Sequence, residues 1–192
     1  MLGLIIANVR RRTARTALTA TGIAVGVAAI VALLALSAGL NATAGQLVHL
    51  GKADLGLFQS DAADPTASVL PRSLVARVQA QPEVADATPL QLVVNAVARA
   101  PAAIVFGQEP SGFATGMAVL TRGQRAGHGE VEVGDVLAGQ MHLVVGDRLD
   151  LGGRAFRVAG IYDTGITLED QGVITTLADA QALAGRTSQE IS

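Results

Sequence analysis

The chain has 192 residues, 50% hydrophobic and only 3% aromatic, and its lack of cysteine excludes disulfides, zinc–thiolate sites and thiol catalysis. Charge is divided unevenly: residues 1–52 carry five basic side chains and no acid, whereas residues 53–192 carry nine basic against sixteen acidic, a balance of −7. An acidic domain repels the phosphates that supply most nucleic-acid affinity, so nucleic acid is excluded as a partner.

The N-terminal "LGLIIANVRRR" sets Leu2, Ile5, Ile6 and Val9 on one helical face ahead of the arginines, the pattern of a short helix lying along the inner leaflet. Ala17–Leu40 then runs for 24 residues without a charge: ten Leu, Ile or Val, eight Ala, three Gly, two Thr and one Ser. As a helix it is about 36 Å long against a hydrocarbon core of about 30 Å. Its ten branched aliphatics contribute roughly −3 to −6 kcal/mol on the insertion scale. A cleaved secretion signal competes for the same stretch, because "NATA" at Asn41–Ala44 offers an A-x-A pattern; the apolar run is far longer than a signal core of about 7–15 residues. A soluble core helix of this length would show a polar face. The retained span is the reading that fits. Arg10, Arg11, Arg12 and Arg15 hold its inner end in the cytoplasm. The expected organisation is a cytoplasmic interfacial segment over residues 1–15, a transmembrane helix over 16–40 and an extracytoplasmic domain over 41–192. Gly22 and Gly26, four apart in "GIAVG", form a small-residue pair that allows close helix–helix packing.

Beyond the span, "NATAGQLVHL" continues as helix past the bilayer surface, and the alternation in "ADLGLFQSD" predicts a first strand. Pro71 opens a helix over "RSLVARVQAQ", with Leu74, Val75 and Val78 at helical spacing. "PEVADATP" predicts a turn and short strand, and "LQLVVNAVARA" and "AAIVFGQEP" two strands parted by Pro101. Gly152-Gly153 predicts a two-residue hairpin that sets Leu149 opposite Phe156. "GVITTLADAQALAG" predicts a strand entering a helix, with Thr176 and Asp179 as capping box and Gly185 at the C-cap. "GRTSQEIS" adds no closing strand. The fold class is therefore α+β: one N-terminal transmembrane helix followed by a mixed α+β extracytoplasmic domain.

Signals for chemistry are weak. His128, Glu130 and Glu132 in "GHGEVEV" alternate onto one strand face, a spacing that suits a metal but more often marks a solvated edge. His49 and His142 have no partner visible in the sequence. "LGKAD" lacks the Ser/Thr after Lys52 that a phosphate loop needs, and no G-x-S-x-G is present. The expectation is no enzyme, with no catalytic, cofactor-binding or metal residues.

"NVRRRTARTALTATGIAVGVAAIVALLALSAGL", followed by "VGDVLAGQMHLVVGDRLDLGGRAFRVAGIYDTG" and "TTLADAQALAG", resembles the MacB/FtsX-like ABC transporter permeases. The elements that carry it are the Arg-rich "RTALT" entry to the span, Val145-Gly146-Asp147, and Phe156 to Ile161. The resemblance implies a MacB-like periplasmic core domain on a permease subunit of the inner membrane, with further spans that this chain lacks. It implies a cytoplasmic ABC ATPase subunit as partner, a second permease subunit, and an envelope partner or lipoprotein substrate. An exported or single-anchor binding module without a transport role is the alternative, and an envelope hydrolase the third.

Overall fold

The structure is a computed structural model describing residues 13–48, 53–62, 64–97 and 100–192. Contacts divide the chain into two units, Met1–Gly45 and Gln46–Ser192.

Among the described residues, the first unit is made by helix α1, Thr13–Val48, which runs three residues past its boundary. No proline interrupts it, and alanine and leucine, the strongest helix formers, fill much of its length. Every residue from Ala17 to Ser37 is exposed, including Leu18, Ile23, Val27 and Leu33 at 55–77%. The segment meets the length and hydropathy required to cross a bilayer. Arg10, Arg11, Arg12, His49 and Lys52 lie outside the described residues, as do most of the predicted interfacial segment and the start of "LGKAD".

The second unit is built on a seven-stranded sheet. In chain order its elements are a 3₁₀ turn (Pro65–Ala67), β1 (Leu70–Pro71), α2 (Ser73–Gln79), β2 (Leu90–Val97), β3 (Ala100–Gln108), α3 (Phe113–Met117), β4 (Val119–Gly123), β5 (Glu130–Gly134) and α4 (Asp135–Met141). There follow β6 (Arg148–Leu151), β7 (Arg154–Asp163), α5 (Thr167–Asp170), β8 (Val173–Thr176), α6 (Leu177–Leu183) and β9 (Glu190–Ile191). The strand order is β2-β3-β8-β5-β7-β4, with β6 also paired to β7. β3 is parallel to β8 and β5 to β7, while β5 and β8 meet antiparallel at the centre. β2 returns against β6, where Asn95 packs on Gly152, so the sheet curls.

Alternation along the strands divides the core between the two sheet faces. Val105, Val133, Ile161 and Val173 fill one side with Leu137 and Ala138 of α4 and Ala180 of α6. Their sequence neighbours Phe106, Tyr162 and Ile174 fill the other side with Leu92 and Ala118. Each buried Val, Leu, Ile or Phe among them is worth about 1.5–3 kcal/mol. The α+β class is as expected from sequence.

Local elements follow their chemistry. Gly152 and Gly153 take φ of +58° and +80° and close the β6–β7 hairpin, which pairs Leu149 with Phe156 as predicted. Thr176 Oγ1 accepts the Asp179 N–H at 3.2 Å, completing the predicted cap of α6, and Gly185 follows that helix at φ +65°. Val145-Gly146-Asp147 forms the turn into β6: the Gly146 N–H donates to the Val158 carbonyl and the Val158 N–H returns to the Asp147 carbonyl, both at 2.8 Å.

Five local expectations require correction. "ADLGLFQSD" forms no strand; Leu55 and Leu57 are 84% and 56% exposed, and only Phe58 packs against the core. Pro71 sits in β1 rather than in the first turn of α2, whose N-cap is Arg72. "PEVADATP" yields the turn without the strand. Pro101 lies inside β3, where the ladder to β2 skips it in an irregularity between Asn95 and Val97, so its missing N–H costs no sheet bond. The expectation of no closing strand also fails, because Glu190–Ile191 pairs antiparallel with Leu70–Pro71 and the Ser192 N–H donates to the Leu90 carbonyl.

Candidate functional site

The three chemistry-bearing residues of "GHGEVEV" part company in the structure. Glu132, 2% exposed, is held by the Arg125 guanidinium at 2.8 Å and by the Ala126 N–H at 3.0 Å. Arg125 also donates to the Ala118 carbonyl at 2.6 Å, fixing the loop ahead of β5. Glu130 pairs instead with Arg157 on the neighbouring strand at 2.9 Å. His128 projects into solvent and brings Nδ1 within 3.1 Å of Asp179 Oδ1. The shared face foreseen from alternation is divided among three separate pairings.

Asp179 is the most enclosed of these carboxylates, with a side chain 0% exposed. Its Oδ2 accepts the Gly129 N–H at 2.9 Å and the Thr176 hydroxyl at 2.8 Å. Its Oδ1 makes no hydrogen bond and faces His128 and the Arg154 guanidinium, the latter at 3.9 Å. One carboxylate therefore holds the Thr176 hydroxyl that caps α6 and clasps the loop before β5. The capping box was legible in sequence; the reach across 50 residues to Gly129 was not.

At the start of α4, three acids from separate elements converge: Asp135, Asp163 and Asp170 bring one carboxylate oxygen each within 4.8 Å of one another. Asp170 is 4% exposed and accepts the Thr164 N–H at 2.8 Å and its hydroxyl at 2.9 Å. Burial raises the Asp170 pKa above the ordinary carboxylate value, with the Thr164 hydrogen bonds opposing and the charges of Asp163 and Asp135 adding to the rise. Gly134 lets the segment carrying Asp170 lie against β5: a β-carbon there would come within 2.1 Å of the Asp170 carbonyl oxygen. Tyr162, fully buried beside them, donates to the Glu169 carbonyl at 2.6 Å, and burial pushes its phenol well above its usual pKa. Nothing in the sequence brought these three acids together, because the sheet alone does so.

A cavity of about 120 Å³ opens at the C-terminal ends of β3 and β8, lined by Gln108, Thr115, Arg125, Glu132, Thr175 and Thr176. Its polar groups are largely committed. Thr175 donates to the Glu130 carbonyl, Thr115 to the Glu109 carbonyl, and Thr176 to Asp179.

The most extended chemical surface is that of α1. Its exposed aliphatic cylinder exceeds the few hundred Å² that a water-facing monomer ordinarily leaves bare. Gly22 and Gly26 lie on it with open space where a β-carbon would stand, and Arg15 lies within α1 near its start. His142 occupies a left-handed position, φ +57°, closing α4.

Comparison with known proteins locates this arrangement. Residues 16–192 match the family described as the MacB-like periplasmic core domain. Among solved structures, the periplasmic region of MacB from Actinobacillus actinomycetemcomitans superposes with a TM-score of 0.50 at 14% identity, over 64% of this chain and 62% of that one. The extracellular domain of the noncanonic ABC-type transporter YknZ from Gram-positive bacteria gives 0.52 at 11% identity, over 71% and 76%. This chain thus spans less than two thirds of the MacB region. No curated protein matches it in sequence.

Proposed function

Because the chain belongs to the family of MacB-like periplasmic core domains, we propose that it is the N-terminal part of an ABC transporter permease. In this reading α1 spans the inner membrane and passes movement from a separate cytoplasmic ATPase to the outer domain. The reading as a transport component rather than an enzyme is in keeping with that membership. The supporting observation is the length of α1: its apolar window ends at Ser37, yet the helix runs on to Val48. Those eleven residues add about 16 Å of helix beyond the window. An unbroken rod crossing the bilayer surface conveys displacement in a way that a flexible linker would not.

The roles within it follow the residues. Arg10, Arg11, Arg12 and Arg15 keep the N-terminus cytoplasmic, since basic flanks resist translocation. Gly22 and Gly26 admit a neighbouring span, from the remaining helices of the permease or its second subunit, to near backbone contact. Residues 1–15, 16–40 and 41–192 form the interfacial, spanning and outer parts. The outer domain meets the exported or extracted substrate, a lipoprotein or another envelope molecule.

The chain's lack of cysteine makes the topology directly testable. Single substitutions Leu4→Cys and Ser60→Cys are introduced, and intact cells are treated with a membrane-impermeant maleimide. Labelling at position 60 and protection at position 4 is the expected result. A mature protein starting after Ala44 would leave an exported binding module as the reading, and the reverse labelling pattern would overturn both readings by placing the domain in the cytoplasm.

A further inference from the structure

Two pieces of the sheet repeat. α4 (Asp135–Met141) and α6 (Leu177–Leu183) are both seven residues long, each directly follows a strand, and they lie 42 positions apart. The hairpins β2–β3 and β6–β7 close on Val97↔Ala100 and Leu151↔Arg154, pairs 54 positions apart. Shifting β3 by 54 and β8 by 42 in opposite directions transforms one parallel ladder into the other. Phe106↔Ile174, Gly107↔Thr175 and Gln108↔Thr176 become Gly160↔Glu132, Ile161↔Val133 and Tyr162↔Gly134, which are the observed pairs of β7 with β5. Glu132 and Ile174 are themselves equivalents, 42 apart, and they pair with each other where β5 meets β8. A local two-fold axis passes between them.

We infer that Leu90–Leu183 contains two equivalent hairpin–strand–helix units threaded through each other, so that the outer sheet is one rigid block with no hinge between its halves. The threading follows from chain order. The first hairpin precedes β5–α4 in sequence but pairs with β8, and the second precedes β8–α6 but pairs with β5. Neither unit can close its sheet without the other. Opening one half therefore strips a ladder from the second, and the buried layer of Val105, Val131, Val133, Ile161 and Val173 is drawn from both. Stable regions of a protein open as contiguous cooperative units; here the unit is the pair.

The transport consequence, a lever that swings whole, rests on the permease reading; the threading does not. Native-state hydrogen exchange on the full chain in detergent, under rising denaturant, tests it. Amides of β3, β5, β7 and β8 should converge on a single opening. Val105→Ala in β3 should speed exchange in β5 and β7 by the same factor as in β3 and β8, about tenfold or more. Ile161→Val in β7, at about two- to tenfold, is the milder probe should the alanine variant fail to fold. Exchange of β3 and β8 through an opening that leaves β5 and β7 protected would overturn the inference, whatever the maleimide labelling shows.

Discussion

Helix α1 and the outer domain use the same aliphatic side chains for opposite purposes. In α1 the residues Ile23, Val25, Val27 and Leu34 are all more than half exposed, whereas Val131, Val133, Val158 and Val173 of the sheet are 0% exposed. The domain supplies its own apolar surroundings and α1 must find them elsewhere, in lipid or in another helix. Charge shows the same division. The polar side of the domain is organised into pairs such as Arg125–Glu132 and Arg157–Glu130, while residues 16–48 carry no ionisable side chain. Aliphatic content alone does not separate two such regions; the placing of charge and the arrangement of the apolar residues do.

Four substitutions break or sharpen this contrast. The largest effect is expected for Val27→Arg at the centre of the exposed cylinder. It costs about 3–4 kcal/mol on the insertion scale, most of the margin available to the span. Fractionation should show the chain leaving the membrane while the circular dichroism of the outer domain is retained. Next is Arg125→Ala, which leaves the enclosed Glu132 carboxylate with the Ala126 N–H and no cation. A loss of about 3 kcal/mol in denaturant unfolding of the domain is expected, largely recovered in the double variant Arg125→Met/Glu132→Leu. Asp179→Ala removes the clasp on Gly129 and the acceptor that holds the Thr176 hydroxyl, about 2 kcal/mol, with faster exchange at Gly129 as its local signature.

Asp170→Asn should have the smallest effect, less than about 1 kcal/mol, and of the opposite sign at neutral pH. With its folded pKa raised, the Asp170 carboxyl binds its proton more tightly when folded than when unfolded. Its contribution to stability is therefore greatest below the unfolded value near 3.8 and declines as pH rises through the folded one. The asparagine variant keeps an oxygen for the Thr164 N–H and loses the charge. Thermal melts from pH 3 to 7 should show the variant gaining on the parent as pH rises, and a gain that shrinks with pH would contradict the assignment.

What could be read in sequence was local. Gly152-Gly153 and the Thr176–Asp179 box specify their structures within four residues, so both are where they were expected. The strand expected at "ADLGLFQSD" was a statement about propensity, and a strand also needs a partner, which no local pattern supplies. The closing pair Leu70–Pro71 with Glu190–Ile191 is too short to leave a periodicity and joins residues 121 and 119 positions apart. Pro101 misled for a related reason: proline excludes a ladder hydrogen bond, not strand geometry, and the irregularity opposite it removes the conflict. The convergence of Asp135, Asp163 and Asp170 and the pairing of Arg125 with Glu132 depend on the order of the sheet. The small, charge-free pattern of α1, by contrast, was visible at once, because lipid reads a helix one residue at a time.

The close approach at Gly134 has a consequence for how freely this chain can vary. With 2.1 Å between an added β-carbon and the Asp170 carbonyl oxygen, any other residue at position 134 would lift the segment bearing Asp170 off the sheet. A saturation library at that position should recover glycine alone, unless the segment is shortened in the same molecule.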